Sequence, residues 1–192
     1  MKSKTTDMNP SKSPSVISIE EDIRSWSREV LEVPNPYLPN SLPACPYAKK
    51  AWLDNRVKVR EVDRLFPALY QAVETFHADD VDLVILASFN LPESDFLWEM
   101  TEILNDVYAH KDIHVMVFHP DYGAEDSGLD FLSDHEWESG IEEDYCMAFI
   151  QSLKQVDEAS RKLEKLGYYD VYPKEDYDNL VIERRRRLEQ WQ

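Results

Sequence analysis

The chain is poor in glycine. Four glycines in 192 residues leave little material for the loops that wrap backbone N–H groups around a phosphate, so neither a P-loop nor a dinucleotide-binding turn is expected. Cationic residues are scarce as well: 21 Lys and Arg stand against 38 Asp and Glu, a formal net charge of −17. A field of that sign repels phosphate backbones, which excludes DNA and RNA as expected partners. No apolar run reaches the length of about 18 residues that a membrane-spanning helix needs. Residues 1–15 are Lys-, Ser-, Thr-, Pro- and Asn-rich and carry no apolar stretch, so they do not read as a secretory signal. Only two cysteines occur, Cys45 and Cys146, and without an export signal they are expected as free thiols. A soluble, cytoplasmic protein is the resulting expectation.

Hydrophobic residues make up 43% of the chain, enough for a real core in one domain. Residues 1–15 read as a disordered tail and 16–192 as a single α/β domain. Ser18 with Glu21 forms a capping box ahead of a helix carrying Ile19, Ile23, Trp26 and Val30. Five prolines between Val33 and Pro46 predict an extended linker. Pro46 then opens a short helix, Tyr47 to Leu53. Strand and helix patterns alternate from there: a strand over 56–62, an amphipathic helix over 65–77 and an apolar strand over 81–87. A helix capped by Asn90 or Ser94 follows, with Phe96, Leu97, Met100, Ile103, Leu104 and Val107 as a wide stripe, and then a strand over 113–118. This β-α-β-α-β order over 56–119 predicts a small, mainly parallel sheet with helices packed on it and extra terminal helices. An acidic loop over 123–144, a long helix from Tyr145 to Leu166 closed by Gly167, an edge strand over 168–172 and a final helix over 174–192 complete the expectation.

In open α/β sheets, ligands bind at the carboxyl ends of the strands. Those ends fall at Asp63, at Ser88 to Leu91, and at His119 to Tyr122. His119 joins that position to a side chain able to move a proton near neutral pH. Asp121 would orient it, and Ser88, Asn90 and Tyr122 would line a ligand. Cys45 lies just before Pro46, a residue favoured at the first helical position, so Cys45 is expected as an N-cap thiol acidified by the helix dipole. Lys49 would strengthen that effect or contact a ligand. Cys146 reads as core. His77 and His110 read as helix-end caps and His114 as a core histidine. No pair of Cys and His residues has a zinc-ligand spacing, and the acids of 123–144 do not match a calcium loop, so no metal site is assigned and the cofactor is left unknown. The Arg184 to Arg187 run reads as a solvated helix face, or as a contact for an acidic partner or for the chain's own acidic loop.

Cys45-Pro46-Tyr47-Ala48 and Phe118-His119-Pro120-Asp121-Tyr122, set apart by a strand-helix-strand-helix-strand order, resemble a bacterial family catalogued as domain of unknown function 1415. That family carries Cys-Pro-Phe-Ala and Phe-His-Pro-x-Tyr segments at similar separation. The likeness spans roughly residues 18–170, and it implies roles for Cys45 and His119. The chain departs from the family after Tyr122. Where the family has Arg-Ser-Pro-Tyr-Pro and a His-x-Leu-Arg-Glu helix, this sequence reads Asp144-Tyr145-Cys146-Met147-Ala148-Phe149-Ile150-Gln151.

A metal site at His119 and Cys45, with a carboxylate such as Asp121, stays an alternative, and two further functional expectations follow. One is a small-molecule enzyme, with Cys45, His119 and Asp121 as a thiol/histidine site at the carboxyl edge. The other is a non-catalytic interaction module, using the acidic loop and the basic C-terminal helix to bind a protein partner or a second copy of the chain.

Overall fold

The computed structural model describes residues 18–121 and 145–191. The expected tail over 1–15, the acidic loop over 123–144 and Tyr122 lie outside the described residues.

The capping box at the first helix is present. Ser18 Oγ accepts from the Glu21 N–H (3.3 Å), and the Glu21 carboxylate accepts from the Ser18 N–H (3.2 Å). This satisfies two donors that a helix start leaves open. Helix α1 (Ile19–Trp26) loosens into a π-helical turn, Ser27–Leu31. The proline segment that follows is a closed loop, not an extended linker. Pro34 and Pro43 form an antiparallel bridge, Pro39–Ser41 is a 3-10 turn, and Leu38 is buried against Leu163 and Tyr168. Helix α2 (Ala48–Leu53) is short. Strand β1 (Val57–Glu61), α3 (Leu65–Thr75), β2 (Leu83–Ser88), α4 (Ser94–Tyr108) and β3 (Ile113–Phe118) come next, in the expected order. No side chain caps α4; it begins after Pro92, with Glu93 as its cap residue.

The sheet is not mainly parallel. Its order is β1-β2-β4-β3, where β4 is Cys146–Ser152. Only β1 and β2 pair in parallel; β4 runs antiparallel to both β2 and β3 and separates them. The segment expected to begin a long helix at Tyr145 is therefore the strand that completes the sheet. An unbroken apolar run is compatible with a buried helix or a buried strand, and periodicity cannot choose between them. What decides is burial on two faces. Cys146, Ala148 and Ile150 enter the core under α3 and α4, while Met147 and Phe149 enter the core under α1 with Ile23, Trp26 and Trp52.

Helix α5 (Leu153–Glu164) starts directly from β4, with Ser152 as its cap. Gly167, at φ +72°, turns the chain out of it, and a Cβ there would meet the Asp170 carboxylate at 2.7 Å. The expected edge strand after it is a 3-10 turn, Tyr168–Val171. The C-terminal helix is α6 (Lys174–Tyr177), a π-helical turn over Asp178–Ile182, and α7 (Glu183–Glu189). No helix of the described residues is long and apolar enough to cross a membrane.

The last helix is riveted by its arginines. Arg184 is buried and donates to the Ser160 hydroxyl. Arg185 reaches Asp157 at 2.9 Å and Glu164 at 2.8 Å, and Arg187 reaches Asp106 at 2.7 Å and Glu102 at 2.6 Å. Arg186 pairs with Glu183. Only Arg186 stays on a solvated face; Arg184, Arg185 and Arg187 turn to α5 and α4 of the same chain.

Candidate functional site

The carboxyl edge of the sheet gathers some of the expected residues. Ser88 ends β2 and is fully buried. Its Oγ lies 3.2 Å from the Asp63 carbonyl and 3.4 Å from the Asn90 carbonyl, and it accepts from the Asn90 N–H at 3.2 Å. Ser88 therefore ties the ends of β1 and β2 together, with no face toward solvent. Asn90 does reach the surface. With Glu61, Val62, Asp63 and Phe89 it lines a cavity of about 270 Å³. That is below the range of about 300–1,000 Å³ usual for small-molecule sites, and Glu61, Asp63, Phe89 and Asn90 are all exposed.

His119 stands at the end of β3 and is buried. Its Nε2 lies 3.0 Å from the Pro92 carbonyl oxygen, and its Nδ1 lies 3.0 Å from the Asp121 N–H. A carbonyl only accepts and an amide N–H only donates, so the ring is held as the neutral tautomer with its proton on Nε2. The Asp121 carboxylate is 3.6 Å from Nδ1 and mostly exposed. Both ring nitrogens thus serve the main chain, joining the end of β3 to the segment that starts α4.

Cys45 belongs to a different constellation. Its N–H donates to the Leu31 carbonyl (3.0 Å), and its carbonyl accepts from the Ala48 N–H (3.1 Å). Next to it, the Ala44 carbonyl accepts from the Tyr168 hydroxyl at 2.8 Å. Helix α2 begins at Ala48 with Tyr47 as its cap residue, so Cys45 is not the N-cap. Burial pushes its thiol pKa up, and the Glu32 carboxylate adds to that, against two backbone N–H groups that pull the other way. Cys45 is thus a protonated thiol at neutral pH, contrary to the expected acidified one. No hydrogen bond joins it to His119. Lys49 is exposed on α2. Cys146, read as core, is fully buried in β4. Its thiol faces the Ser88 carbonyl at 3.5 Å, and burial raises its pKa to about 11.

The expected residues thus make three local sets of contacts: a turn clasp at Ser88 and Asn90, a histidine clasp at His119 and Asp121, and the proline loop at Cys45. Of the other histidines, His110 Nδ1 meets the Val107 carbonyl at the end of α4, and His77 Nε2 meets the Lys111 carbonyl, each at 2.7 Å. His114 is a buried residue of β3. Among the described residues no group of three His, Cys, Asp or Glu side chains is placed to hold a metal ion.

A different surface presents itself on α4. Its inward positions are Leu97, Thr101, Asn105 and Tyr108. Asn105 is the key to that orientation. Its amide donates to the Val115 carbonyl (3.0 Å) and accepts from the Val115 N–H (2.8 Å), filling main-chain positions of edge strand β3 as a neighbouring strand would. With Asn105 inward, the expected apolar stripe is divided. Leu97 and Leu104 go to the core. Phe96, Met100, Ile103 and Val107, at i, i+4, i+7 and i+11, form an outer stripe. Phe96 is 49% exposed, and Ile103 and Val107 are 53% exposed. The stripe adjoins α3, where Phe66 meets Phe96 edge-on at 5.0 Å and Tyr70 is 60% exposed. On its other side runs a row of acids, Asp95, Glu99, Glu102 and Asp106. Sequence reasoning found the apolar stripe but missed that a buried asparagine turns half of it outward; a polar residue within an apolar stripe was the available signal.

Of the two segments that carry the expected resemblance, Cys45 to Ala48 leads into α2 and Phe118 to Asp121 lies at the end of β3. No protein-family model, curated protein or solved structure matches this chain.

Proposed function

We propose that the chain is a non-catalytic protein-interaction module whose working surface is the outer face of α4 with the adjoining side of α3. One observation carries this reading: a stripe of large apolar side chains on the outer face of α4, with Phe96, Ile103 and Val107 exposed and Met100 half-buried between them, adjoining the half-buried Phe66 and the exposed Tyr70 of the neighbouring helix. Contiguous apolar surface costs solubility and mostly marks contact with another macromolecule. The stripe is about 16 Å long, three helical turns, which suits recognition by a helix laid alongside it.

The thiol/histidine enzyme is less well supported. Nucleophilic catalysis needs a thiolate and a ring nitrogen free to take a proton. Here the Cys45 thiol is held protonated, and the His119 nitrogens are engaged by Pro92 and Asp121. The basic C-terminal helix is also a poor docking element, because Arg185 and Arg187 already pair within the chain.

Affinity purification of the tagged protein from its source cells tests the reading. The Ile103→Ser/Val107→Ser variant is run beside wild type and beside an edge variant, Phe89→Ala/Asn90→Ala. A discrete protein retained by wild type and the edge variant, and lost from the α4 variant, is the expected result. Co-purification lost only in the edge variant would overturn it.

A further inference from the structure

The acids beside the stripe narrow the class of partner, if the interaction reading above is right. Helices α3 and α4 together carry Glu74, Asp95, Glu99, Glu102 and Asp106 and no Lys or Arg. On α4 the four acids form one row beside the apolar stripe. Glu99 is three residues from Phe96 and four from Ile103, so its carboxylate borders the exposed side chains. Part of the row is already neutralised: Arg187 of the chain's own α7 reaches Asp106 and Glu102. That contact is a working example of a cationic helix docked on this row. Asp95 and Glu99, at the other end, hold no cation of the described residues.

We infer that the outer face of α4 receives a cationic amphipathic helix from a partner protein. Its apolar side covers Phe96, Met100, Ile103 and Val107, and its Lys or Arg residues meet Asp95 and Glu99. Charge complementarity selects this occupant. A second copy is disfavoured on the same ground. Pairing two α4 faces would bring two acid rows together on chains of net charge −17 each, and the basic α7 of a second copy is committed to its own Asp157, Glu164, Glu102 and Asp106. Repulsion between acid rows acts against pairing of like faces, and a cationic helix removes it.

The probe is a synthetic helix of about four turns, with Leu on one face and Lys on the other, capped at both ends and labelled for fluorescence anisotropy. Its counterpart carries Glu in place of each Lys. Wild-type protein is expected to bind the Lys helix, more weakly as salt is raised, and to leave the Glu helix free. Binding should fall by about tenfold or more in Ile103→Ser/Val107→Ser, and by a few-fold in Asp95→Asn/Glu99→Gln. Circular dichroism of each variant confirms that it folds; these side chains are exposed, so folding should be unaffected. No binding overturns the inference. So does binding that ignores both substitutions, which would be attraction to net charge alone. A dimer by sedimentation that disappears in the stripe variant would replace the cationic helix by a second copy while leaving the interaction reading intact. Loss of the interaction reading would instead appear as no protein contact at this face in cells.

Discussion

At His119 two main-chain groups make opposite demands on one ring, and only the neutral Nε2–H form meets both. Replacing the ring by alanine removes two half-buried hydrogen bonds, to the Pro92 carbonyl and from the Asp121 N–H. His119→Ala should therefore lower unfolding free energy by about 1–3 kcal/mol in urea titration; unchanged stability would show that the ring is not a clasp. Cys45 offers a matching chemical check. With its thiol pKa raised by burial, Cys45 should alkylate with iodoacetamide at neutral pH no faster than an unstructured cysteine. Rapid, selective labelling of Cys45 would restore the thiolate reading. Placement of these residues was partly legible: His119 does lie at the carboxyl edge, because strand β3 ends where its apolar alternation ends. Their chemistry was not legible, because it depends on tertiary placement: the Pro92 carbonyl at His119, and burial with the Glu32 carboxylate at Cys45.

Elements were legible where the period was unambiguous and the turn chemistry local. The capping box at Ser18, the bounds of β3 and the turn at Gly167 all follow from neighbouring residues. Strand β4 was misread because Tyr145 to Ile150 is apolar throughout, so that only tertiary burial separates strand from helix. Helix α4 was read as a helix, but its rotation was not. Rotation is set by Asn105, whose amide closes the Val115 edge of β3. Asn105→Leu removes both bonds and should cost about 2–3 kcal/mol, with faster hydrogen exchange at the Val115 amide. Unchanged exchange there would contradict the edge-closing role.

Over the whole molecule, buried titratable groups predict how stability follows pH. His114 is held well below its ordinary pKa, first by burial and then by the Arg184 and Arg187 guanidiniums. The unfolded chain binds the proton that the folded state refuses, so stability is full above about pH 6.5 and falls as pH drops below it. Asp157 and Glu164 extend the decline. Burial alone would raise their pKa values, but Arg185, with Arg161 at Asp157 and Tyr177 at Glu164, holds both below the usual range. Their contribution is present above about pH 4 and is lost as pH falls through the depressed values. Melting temperatures should fall in two stages between pH 7.5 and pH 3, and His114→Gln should remove the first. A wild-type curve that is flat from pH 7.5 to pH 5 would contradict this. The net charge was legible from composition, but its distribution was not. Arg185 and Arg187 of the last helix turn inward to carboxylates on α5 and α4, while α4 keeps Asp95 and Glu99 beside an apolar stripe.

Contact between this stripe and another protein is what we propose. A photo-crosslinking amino acid placed at Val107, with a second protein labelled at Leu53 as control, tests it in the source cells. Leu53 is 69% exposed on α2, away from the stripe. Val107 should give one discrete heterologous adduct, and its crosslinked peptide should be Lys- or Arg-rich and amphipathic; Leu53 should give none. No adduct at Val107, or the same adducts from both positions, would contradict the account.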